Sequence, residues 1–290
     1  MRHAVLGAGG IGGLLGGALA RAGNDVVLLL RPETLARHPH RIRVESAVLG
    51  DFEADVALAS ELDRDVDVLW VSPKAPQLEA ALALAPVERA GRAVVVPMLN
   101  GIDHVARLRE SYERVLAAAF RVESERVEPG VFRQPTPFAR VDLAPGPDSD
   151  AVATELRASG LQVEVGLDEP TVLWEKLALL GPLALTTTAA GMPAGAVQAA
   201  PEWHERLFAC HHEAVAVGSA EGATLDEEPL ERLLGTPLGE MRTSMQKDFD
   251  AGRPLELDAI GGPILRGGSR HGIATPATSE LVRLVEQRLG

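Results

Sequence analysis

The sequence predicts an α/β chain in two parts, a doubly wound, mainly parallel sheet first and a domain of helices alone after it. In residues 1–167, apolar strand segments alternate with helical segments, which is the order typical of such a sheet. In residues 168–290, the strand signals stop and apolar residues recur at helical spacing. The length of 290 residues also fits two domains. We place the boundary near Gly166–Glu169, just before Pro170.

The elements of the first part are predicted from short apolar runs and from helical periodicity. The predicted strands are His3–Leu6, Val26–Leu30, Val66–Val71, Ala93–Val96, Val115–Phe120 and Gln162–Val165. The predicted helices are Gly10–Ala22, Ala75–Ala85, His104–Glu110 and Ser149–Ser159. Between Arg121 and Leu143, apolar residues stand among Pro and Gly. We expect short antiparallel strands there, added to one edge of the sheet.

The second part is predicted to be helical throughout. Its predicted helices are Leu173–Leu185, Glu202–Glu221, Glu227–Leu234, Leu238–Ala251, Leu257–Gly267 and Ala277–Leu289. The uncharged segment from Leu177 to Pro201 is long enough to suggest a membrane span. Its Pro, Gly and Thr residues favour a buried helix followed by a loop instead.

Composition narrows the classes of partner and the compartment. The formal net charge of −13 argues against nucleic acid or an anionic membrane surface as a partner. An anionic substrate would therefore need a locally basic site. The single cysteine, Cys210, excludes an intrachain disulfide and fits a reducing, cytoplasmic compartment. No zinc pattern can be built around it, and we expect no metal site.

A glycine turn follows the first predicted strand and opens the first predicted helix. Its residues are Gly7, Ala8, Gly9, Gly10, Ile11 and Gly12. Bare backbone at a helix N-terminus lets a pyrophosphate approach N–H groups and the positive end of the helix dipole. Because the turn lies between two apolar strands and begins a helix, it predicts a Rossmann-like dinucleotide-binding domain in residues 1–167.

The residue after the second strand distinguishes the two nicotinamide dinucleotides. An NAD site places an acid there to accept from the ribose 2′-hydroxyl, whereas this chain has Arg31. A guanidinium suits a 2′-phosphate, so NADP(H) is the predicted cofactor. Lys74 and Asn100 also follow strands and would emerge at the same rim of the sheet. The structural alternatives are a solvated loop lysine and an ordinary Asn-Gly turn.

Three residues of the helical part are candidates for chemistry. Lys176 stands among apolar residues at helical spacing. Partial removal from water would make its ammonium a better proton donor to a developing alkoxide. The structural alternative is a lysine at the edge of a helix whose apolar stem is buried and whose ammonium reaches solvent. Ser244 lies on a predicted helix, and Glu256 lies in the first turn of the next, where it can simply contact the helix dipole. His271 is expected to end a helix rather than donate protons.

Taken in order along nearly the whole chain, these segments resemble the ketopantoate reductase family. The resemblance rests on the glycine turn, Arg31, Lys74, Asn100-Gly101, Trp174-Glu175-Lys176-Leu177-Ala178, Ser244-Met245 with Asp248, Gly252-Arg253, Glu256-Leu257-Asp258 and His271-Gly272-Ile273-Ala274-Thr275-Pro276. It implies an NADP-dependent oxidoreductase acting on CH–OH, whose partner is a small 2-oxo acid bound in the cleft between the two domains. The type reaction of the family converts 2-dehydropantoate to pantoate in coenzyme A biosynthesis.

The resemblance also implies roles for single residues. Lys176 would stabilise and protonate the carbonyl oxygen, and Glu256 would hold the substrate or the lysine in register. Asn100 would position the lysine and the cofactor side, and Ser244 would help to bind the substrate. By the same resemblance, the basic pair of the first domain, Arg31 and Lys74, would lie near the 2′-phosphate.

The chain departs from the family pattern in four places, one of which is Gly261-Gly262, where family members commonly carry Asn-Gly after the acid pair. Leu180 and Ala184 lie one and two helical turns beyond Lys176, on the substrate side, where family members carry asparagines, and Met241 replaces another. Discrimination of a substrate hydroxyl rests on buried polar pairing, so a less hydroxylated 2-oxo acid is an alternative substrate. A second alternative is a protein that binds NADP(H) without turnover, as a sensor or scaffold. The apolar stripes of the helices are compatible with a homodimer.

Overall fold

A computed structural model describes all 290 residues. The strands are β1 (Arg2–Leu6), β2 (Asp25–Leu29), β3 (Arg41–Ser46), β4 (Phe52–Asp55), β5 (Ala57–Ala59), β6 (Val68–Val71), β7 (Val94–Pro97), β8 (Ala118–Val122), β9 (Glu125–Glu128), β10 (Val131–Gln134), β11 (Ala139–Leu143) and β12 (Gln162–Val165). The helices are α1 (Gly10–Arg21), α2 (Pro32–Leu35), α3 (Leu78–Leu82), α4 (Val87–Ala90), α5 (Asp103–Arg109), α6 (Ser149–Ala158), α7 (Glu169–Ala190), α8 (Ala194–Ala199), α9 (Pro201–Ala220), α10 (Glu227–Leu234), α11 (Ser244–Asp250), α12 (Leu257–His271) and α13 (Pro276–Leu289). A 3-10 turn at Ala75–Gln77 precedes α3.

The chain divides into two compact units. The first unit comprises Met1–Leu99 and His104–Glu169, and it holds every strand. The second unit comprises Asn100–Asp103 and Pro170–Gly290, and its regular structure is helical. The predicted fold class, an α/β part followed by an all-helical part, is confirmed.

The central sheet of the first unit is parallel, with strand order β5-β2-β1-β6-β7. In its register, Leu6 of β1 lies beside Leu29 of β2 and Val71 of β6. The carboxyl ends of these three strands are therefore level, and the residues after them meet at one edge. Val5 and Leu6 are fully buried in two different apolar clusters, because successive side chains of a strand face opposite sides of the sheet.

Two smaller sheets accompany the central one, which corrects the prediction for residues 121–143. The expected short antiparallel strands are present, because β9 pairs antiparallel with β10 and β11 pairs antiparallel with β8, but β9 and β10 do not join an edge of the central sheet. Strands β9 and β10 belong to a four-stranded sheet of order β4-β3-β10-β9, in which β10 runs parallel to β3. Strand β11 lies between β12 and β8 in a three-stranded sheet. The expected position of β9 and β10 was wrong because the prediction considered only partners close in sequence, whereas Gln134 of β10 pairs with Ser46 of β3.

Strands β3 to β5 were not predicted, although β3 carries a recognisable signal. Ile42 and Val44 are fully buried, and Arg43 between them is exposed. This alternation is typical of a strand with one buried face. On the buried side, Ile42 and Val44 approach Gly17 of α1, where an added Cβ would lie 3.2 and 2.9 Å from them. The four-stranded sheet therefore supports the helix that begins at the glycine turn.

In the second unit, α9, α10 and α13 lie within one residue of their predicted bounds. Helix α7 begins four residues before and ends five residues after the predicted Leu173–Leu185, and α12 continues beyond the predicted Gly267 to His271.

The predicted helix Leu238–Ala251 begins only at Ser244. The oxygen Oγ1 of Thr243 accepts a hydrogen bond of 3.3 Å from the backbone N–H of Gln246, so Thr243 acts as the N-cap of α11. Gly239 has φ +51°, which a continuing helix does not allow. The short helix α8 was not predicted.

Helix α7 is the central element of the second unit. It continues through Pro182 and is buried along most of its length, in two apolar clusters shared with α9, α12 and other helices. A short turn at Gly191–Pro193 separates it from α8. The expectation of a buried helix followed by a loop is therefore confirmed. None of the helices combines the length and the apolar character that crossing a membrane requires.

Candidate active site

Three positions of the glycine turn in the first unit require glycine, each for a different physical reason. Gly7 has φ +91°, in the region that favours glycine. Gly9 has open space where a Cβ would stand, with no atom within 4 Å. A Cβ on Gly12 would lie 2.2 Å from the carbonyl oxygen of Gly7, so glycine allows α1 to pack closely against β1. A tight turn, room for a ligand and close helix packing are the three roles of a dinucleotide-binding turn.

Two serines that the sequence analysis did not single out hold the backbone of this turn. Ser72, directly after β6, donates from Oγ to the carbonyl oxygen of Gly7 at 2.8 Å. Ser124 donates from Oγ to the carbonyl oxygen of Gly10 at 3.0 Å. Helix α1 has no acidic residue in its first turn, and its N-cap Gly9 carries no side chain that could occupy the first N–H groups. The turn therefore fits a dinucleotide pyrophosphate.

The two basic residues predicted near the 2′-phosphate lie at the same edge of the sheet as the turn. Arg31 follows β2 as the N-cap residue of α2, and its side chain is 62% exposed. Its Nε lies 3.2 Å from Oε1 of Glu33. Lys74 follows β6, is half-buried and precedes the 3-10 turn. The register of β1, β2 and β6 thus brings both residues to the edge that carries Gly7.

In the second unit, Asn100 and Glu256 form a hydrogen bond across 156 positions of sequence. The Nδ2 atom of Asn100 donates to Oε2 of Glu256 at 3.2 Å. Asn100 is half-buried and Glu256 is buried. Gly101 permits this approach, because its φ is +82° and a Cβ on it would lie 2.2 Å from the carbonyl oxygen of Ala259. The structure therefore brings two of the predicted catalytic residues together.

Lys176 lies half-buried on α7. Its neighbours Trp174 and Leu177 are buried in the helical core and hold this part of the helix in place. One turn further along, the space above Gly181 is filled by Ile260 and Ile264, which lie 3.9 and 3.5 Å from the position of an added Cβ. The helix that carries Lys176 thus packs on α12, whose N-cap residue is Glu256.

Ser244 is exposed in the first turn of α11. The residue before it, Thr243, is held by Thr187 of α7, with their hydroxyl oxygens 3.0 Å apart. Thr187 also donates to the carbonyl oxygen of Leu183 at 2.7 Å. Both threonines are buried, and the sequence analysis did not single them out. They fix the start of α11, and with it Ser244, to the helix that carries Lys176.

Three of the positions that depart from the family pattern have different surroundings. Leu180 is half-buried and belongs to none of the apolar clusters. Ala184 is fully buried in a cluster with Met245 of α11. Met241 is half-buried, and its carbonyl oxygen accepts from the backbone N–H of Ala194 at 2.8 Å. A role of Leu180 and Ala184 in substrate binding stays a prediction.

Two other reactive side chains have structural roles. Burial raises the pKa of the Cys210 thiol to about 12, so it stays protonated near neutral pH and is a poor nucleophile. His271 is the last residue of α12, as predicted, and its Nε2 lies 3.0 Å from Oε1 of Glu221. Neither residue is a candidate for the chemistry of this site.

The parallel sheet with its glycine turn and the separate helical unit define a dinucleotide-binding protein of two parts. Comparison with known proteins gives the family. Residues 3–147 match the family described as ketopantoate reductase PanE/ApbA, and residues 171–288 match its C-terminal domain. The chain belongs to the ketopantoate reductase family. It is accordingly an oxidoreductase that acts on a CH–OH group with a nicotinamide dinucleotide.

Individual relatives support this assignment. A 2-dehydropantoate 2-reductase of Caulobacter vibrioides is 30% identical, with 97% of each chain covered. A 2-dehydropantoate 2-reductase of Mycobacterium tuberculosis is 33% identical, with 78% of this chain and 77% of that protein covered. Among solved structures, a 2-dehydropantoate 2-reductase of Geobacter metallireducens superposes with a TM-score of 0.91 at 26% identity, with 99% of each chain covered.

Proposed function

We propose that the protein reduces a 2-oxo acid to a 2-hydroxy acid with NADPH, and that 2-dehydropantoate is the first candidate substrate. The relatives named as 2-dehydropantoate 2-reductases support this choice. The hydrogen bond between Asn100 and Glu256 carries the proposal, because it joins two predicted catalytic residues in the unit that holds Lys176. An amide that donates to a carboxylate fixes the orientation of both groups.

The side chains have distinct tasks in this reaction. When bound at the glycine turn, NADPH would supply the hydride to the carbonyl carbon. Negative charge then grows on the carbonyl oxygen, and the ammonium of Lys176 stabilises it and donates the proton that completes the alcohol. Glu256, held by Asn100, keeps the substrate or the lysine in position. Ser244, exposed at the start of α11, binds a polar group of the substrate.

The preference for NADPH over NADH rests on Arg31 and Lys74. Both lie at the edge of the sheet where the glycine turn would hold the pyrophosphate. Only NADPH has a 2′-phosphate to pair with a guanidinium. Arg31→Ala should therefore weaken NADPH binding much more than NADH binding, as measured by fluorescence titration of both cofactors. Equal losses would refute the assignment of NADPH.

Glu33 offers a matched change at the same place. Its carboxylate pairs with Arg31 and would compete with the 2′-phosphate for the guanidinium. Glu33→Gln should strengthen NADPH binding by a few-fold, about the effect of one exposed ion pair, and leave NADH binding unchanged. A stronger binding of NADH in this variant would mean that Glu33 acts elsewhere.

Turnover is tested by following NADPH oxidation with a panel of 2-oxo acids. We expect reduction of at least one member at a rate that depends on Lys176. Tight NADPH binding without turnover of any member would favour the alternative of a cofactor-binding sensor or scaffold. A homodimer is part of the proposal and is tested by light scattering of the purified protein.

A second candidate substrate class has a specific observation in its favour. Leu180 lies one turn beyond Lys176, remains half-buried, and packs in none of the apolar clusters. The same holds for Leu173, one turn before the lysine. The lysine is thus flanked by leucines that can neither donate nor accept a hydrogen bond. This favours a 2-oxo acid with an apolar side chain.

Two substrates that differ by one hydroxyl distinguish the candidates. They are 2-dehydropantoate and 3,3-dimethyl-2-oxobutanoate. A site that hydrogen-bonds the hydroxyl should prefer the first by about 10⁴-fold in kcat/KM, whereas an apolar site should discriminate by about 10²-fold or less. For an apolar site, Leu180→Asn should shift the ratio towards 2-dehydropantoate. An unchanged ratio would show that Leu180 does not contact the substrate.

A further inference from the structure

The helix that carries Lys176 lacks one of its backbone hydrogen bonds. Pro182 lies inside α7 and has no N–H, so it cannot donate to the carbonyl oxygen of Ala178, four residues before it. The ring of a proline at this position also crowds that carbonyl group and turns it away from the helix axis. Because Ala178 is fully buried, its carbonyl oxygen needs a donor from elsewhere in the protein.

His211 of α9 supplies that donor. Its side chain is fully buried, and its Nδ1 lies 2.8 Å from the carbonyl oxygen of Ala178. A carbonyl oxygen can only accept, so Nδ1 carries the hydrogen and donates it. The Nε2 atom is then an acceptor, and no hydrogen-bond partner reaches it. A buried acceptor without a partner is destabilising, and a hydrocarbon side chain would avoid it, so the bond from Nδ1 has to compensate for this loss.

The hydrogen bond lies on the side of α7 opposite Lys176. Two residues turn an α-helix by about 200°, so Ala178 faces away from Lys176, and Pro182 follows Ala178 on the same face. Lys176, Leu180 and Ala184 share the other face at four-residue spacing. Because Pro182 opens the first face, the support at Ala178 determines how the two halves of the helix join, and with it the direction of the second face.

Helix α9 is a firm support for the donor. Gly218 of α9 lies so close to Trp174 that an added Cβ would stand 3.0 Å from the indole ring. Ala214, one turn after His211, is fully buried in the apolar cluster that also contains Ala178. The packing of α9 therefore fixes the place of the imidazole, and the hydrogen bond transmits that place to α7.

We propose that His211 is a positioning residue for Lys176: it replaces the hydrogen bond that Pro182 removes and so holds the lysine where it can protonate the substrate. The inference rests on the proposed function, in which Lys176 is the proton donor. Displacement of a reacting group by about 1 Å lowers a rate by about 10²-fold. His211 takes no part in the chemistry itself and acts through α7.

A double-mutant cycle tests the hydrogen bond without any assay of activity. Pro182→Ala returns a backbone N–H to the helix, so Ala178 no longer depends on His211. In denaturant unfolding, His211→Leu should raise the equilibrium constant for unfolding at least about 5-fold more in the wild-type background than in the Pro182→Ala background. The unpaired Nε2 disappears in both backgrounds, so its effect cancels. Equal effects in the two backgrounds would overturn the proposal.

Steady-state kinetics of the folded variants test the effect on the lysine. His211→Leu should lower kcat by about 10–100-fold and leave NADPH affinity unchanged, since α9 lies in the second unit and the glycine turn in the first. In the Pro182→Ala background, the same substitution should lower kcat much less. His211→Asn keeps an N–H donor near the place of Nδ1 and should retain most of the wild-type kcat. An unchanged kcat in His211→Leu, or equal losses in the Asn and Leu variants, would refute the positioning role.

His212 provides the matched control. It follows His211 on α9, its side chain is 49% exposed, and it pairs with Glu231 of α10. His212→Leu should leave kcat unchanged in both backgrounds, and a loss equal to that of His211→Leu would contradict a role of the bond to Ala178.

Two further outcomes are also decisive. If His211→Leu folds only together with Pro182→Ala, that rescue supports the bond, and if Pro182→Ala does not rescue its folding, the proposal is overturned. A wild type that reduces no 2-oxo acid would refute the proposed function and the positioning role with it, while the unfolding cycle would still decide the hydrogen bond.

Discussion

Gly9 of the glycine turn allows the dinucleotide site to be tested without disturbing the fold. An alanine there meets no atom within 4 Å, and its backbone angles of φ −72° and ψ −172° are open to any residue. As an N-cap, alanine is somewhat worse than glycine, so the free energy of unfolding should fall by only about 0.5 kcal/mol. The new methyl group would instead occupy the space that a pyrophosphate needs.

The magnitude follows from the hydrogen bonds that the methyl group displaces. Losing one N–H bond to a charged phosphate costs about 1.5–3 kcal/mol, which corresponds to about a 10–100-fold weaker affinity for NADPH. Fluorescence titration with NADPH measures this loss, and thermal unfolding without cofactor measures the stability. An affinity equal to that of the wild type would refute the placement of the pyrophosphate at this turn.

Gly12→Ala is the matched control in the same turn. Its Cβ would lie 2.2 Å from the carbonyl oxygen of Gly7 and 2.2 Å from Oγ of Ser72, about 1 Å too close. Overpacking of this kind costs about 1–3 kcal/mol. The first unit should then unfold about 2–4 °C lower per kcal/mol, even without cofactor. If both alanine variants lost stability equally, the distinction between open and packed glycines would be wrong.

Three other predictions concern catalysis, a helix cap and pH. Lys176→Ala should lower kcat by about 10²–10⁴-fold and leave NADPH affinity nearly unchanged, and an unchanged kcat in steady-state assays would remove Lys176 as the proton donor. The carboxylate of Glu213 accepts two hydrogen bonds, of 2.7 and 2.8 Å, from backbone N–H groups in the first turn of α13. Glu213→Ala should therefore lower the free energy of unfolding, measured with denaturant, by about 1–3 kcal/mol. Glu205 is exposed on the same helix as Glu213, so Glu205→Ala should lower it little. Burial lowers the pKa of His3 from its ordinary 6.5, so the unfolded chain takes up a proton that the folded chain does not, and the free energy of unfolding should fall as the pH drops below 6.5. His3→Gln should flatten this part of the pH profile, and an equally steep profile would contradict the assignment to His3.

Elements with a strong local signal were predicted correctly. The first two strands, α1, α10 and β12 lie within a residue or so of their predicted bounds, because apolar periodicity and the glycine turn act over a few neighbouring residues. The sheets were predicted less well. Strand β10 pairs in parallel with β3, and their aligned residues are 88 positions apart, as Gln134 and Ser46 show. A pairing over that distance depends on packing against α1, which local patterns do not contain.

For the candidate site too, the sequence predicted some residues and missed others. The sequence singled out Asn100 and Glu256, and the structure brings them within 3.2 Å. It also singled out Gly101 as part of an Asn-Gly turn, and the structure adds that the missing Cβ of Gly101 makes room for that contact. It did not single out the two buried threonines that anchor α11 to α7.

The sequence alone determined the order of elements, the dinucleotide-binding turn and the candidate catalytic residues, because each depends on residue types at short spacing. Only the tertiary structure decided which strands share a sheet, which carboxylate Asn100 contacts, and that Leu180 stays outside the apolar clusters. These properties depend on distances between residues far apart in the chain. Such distances are set by the packing of whole helices and strands.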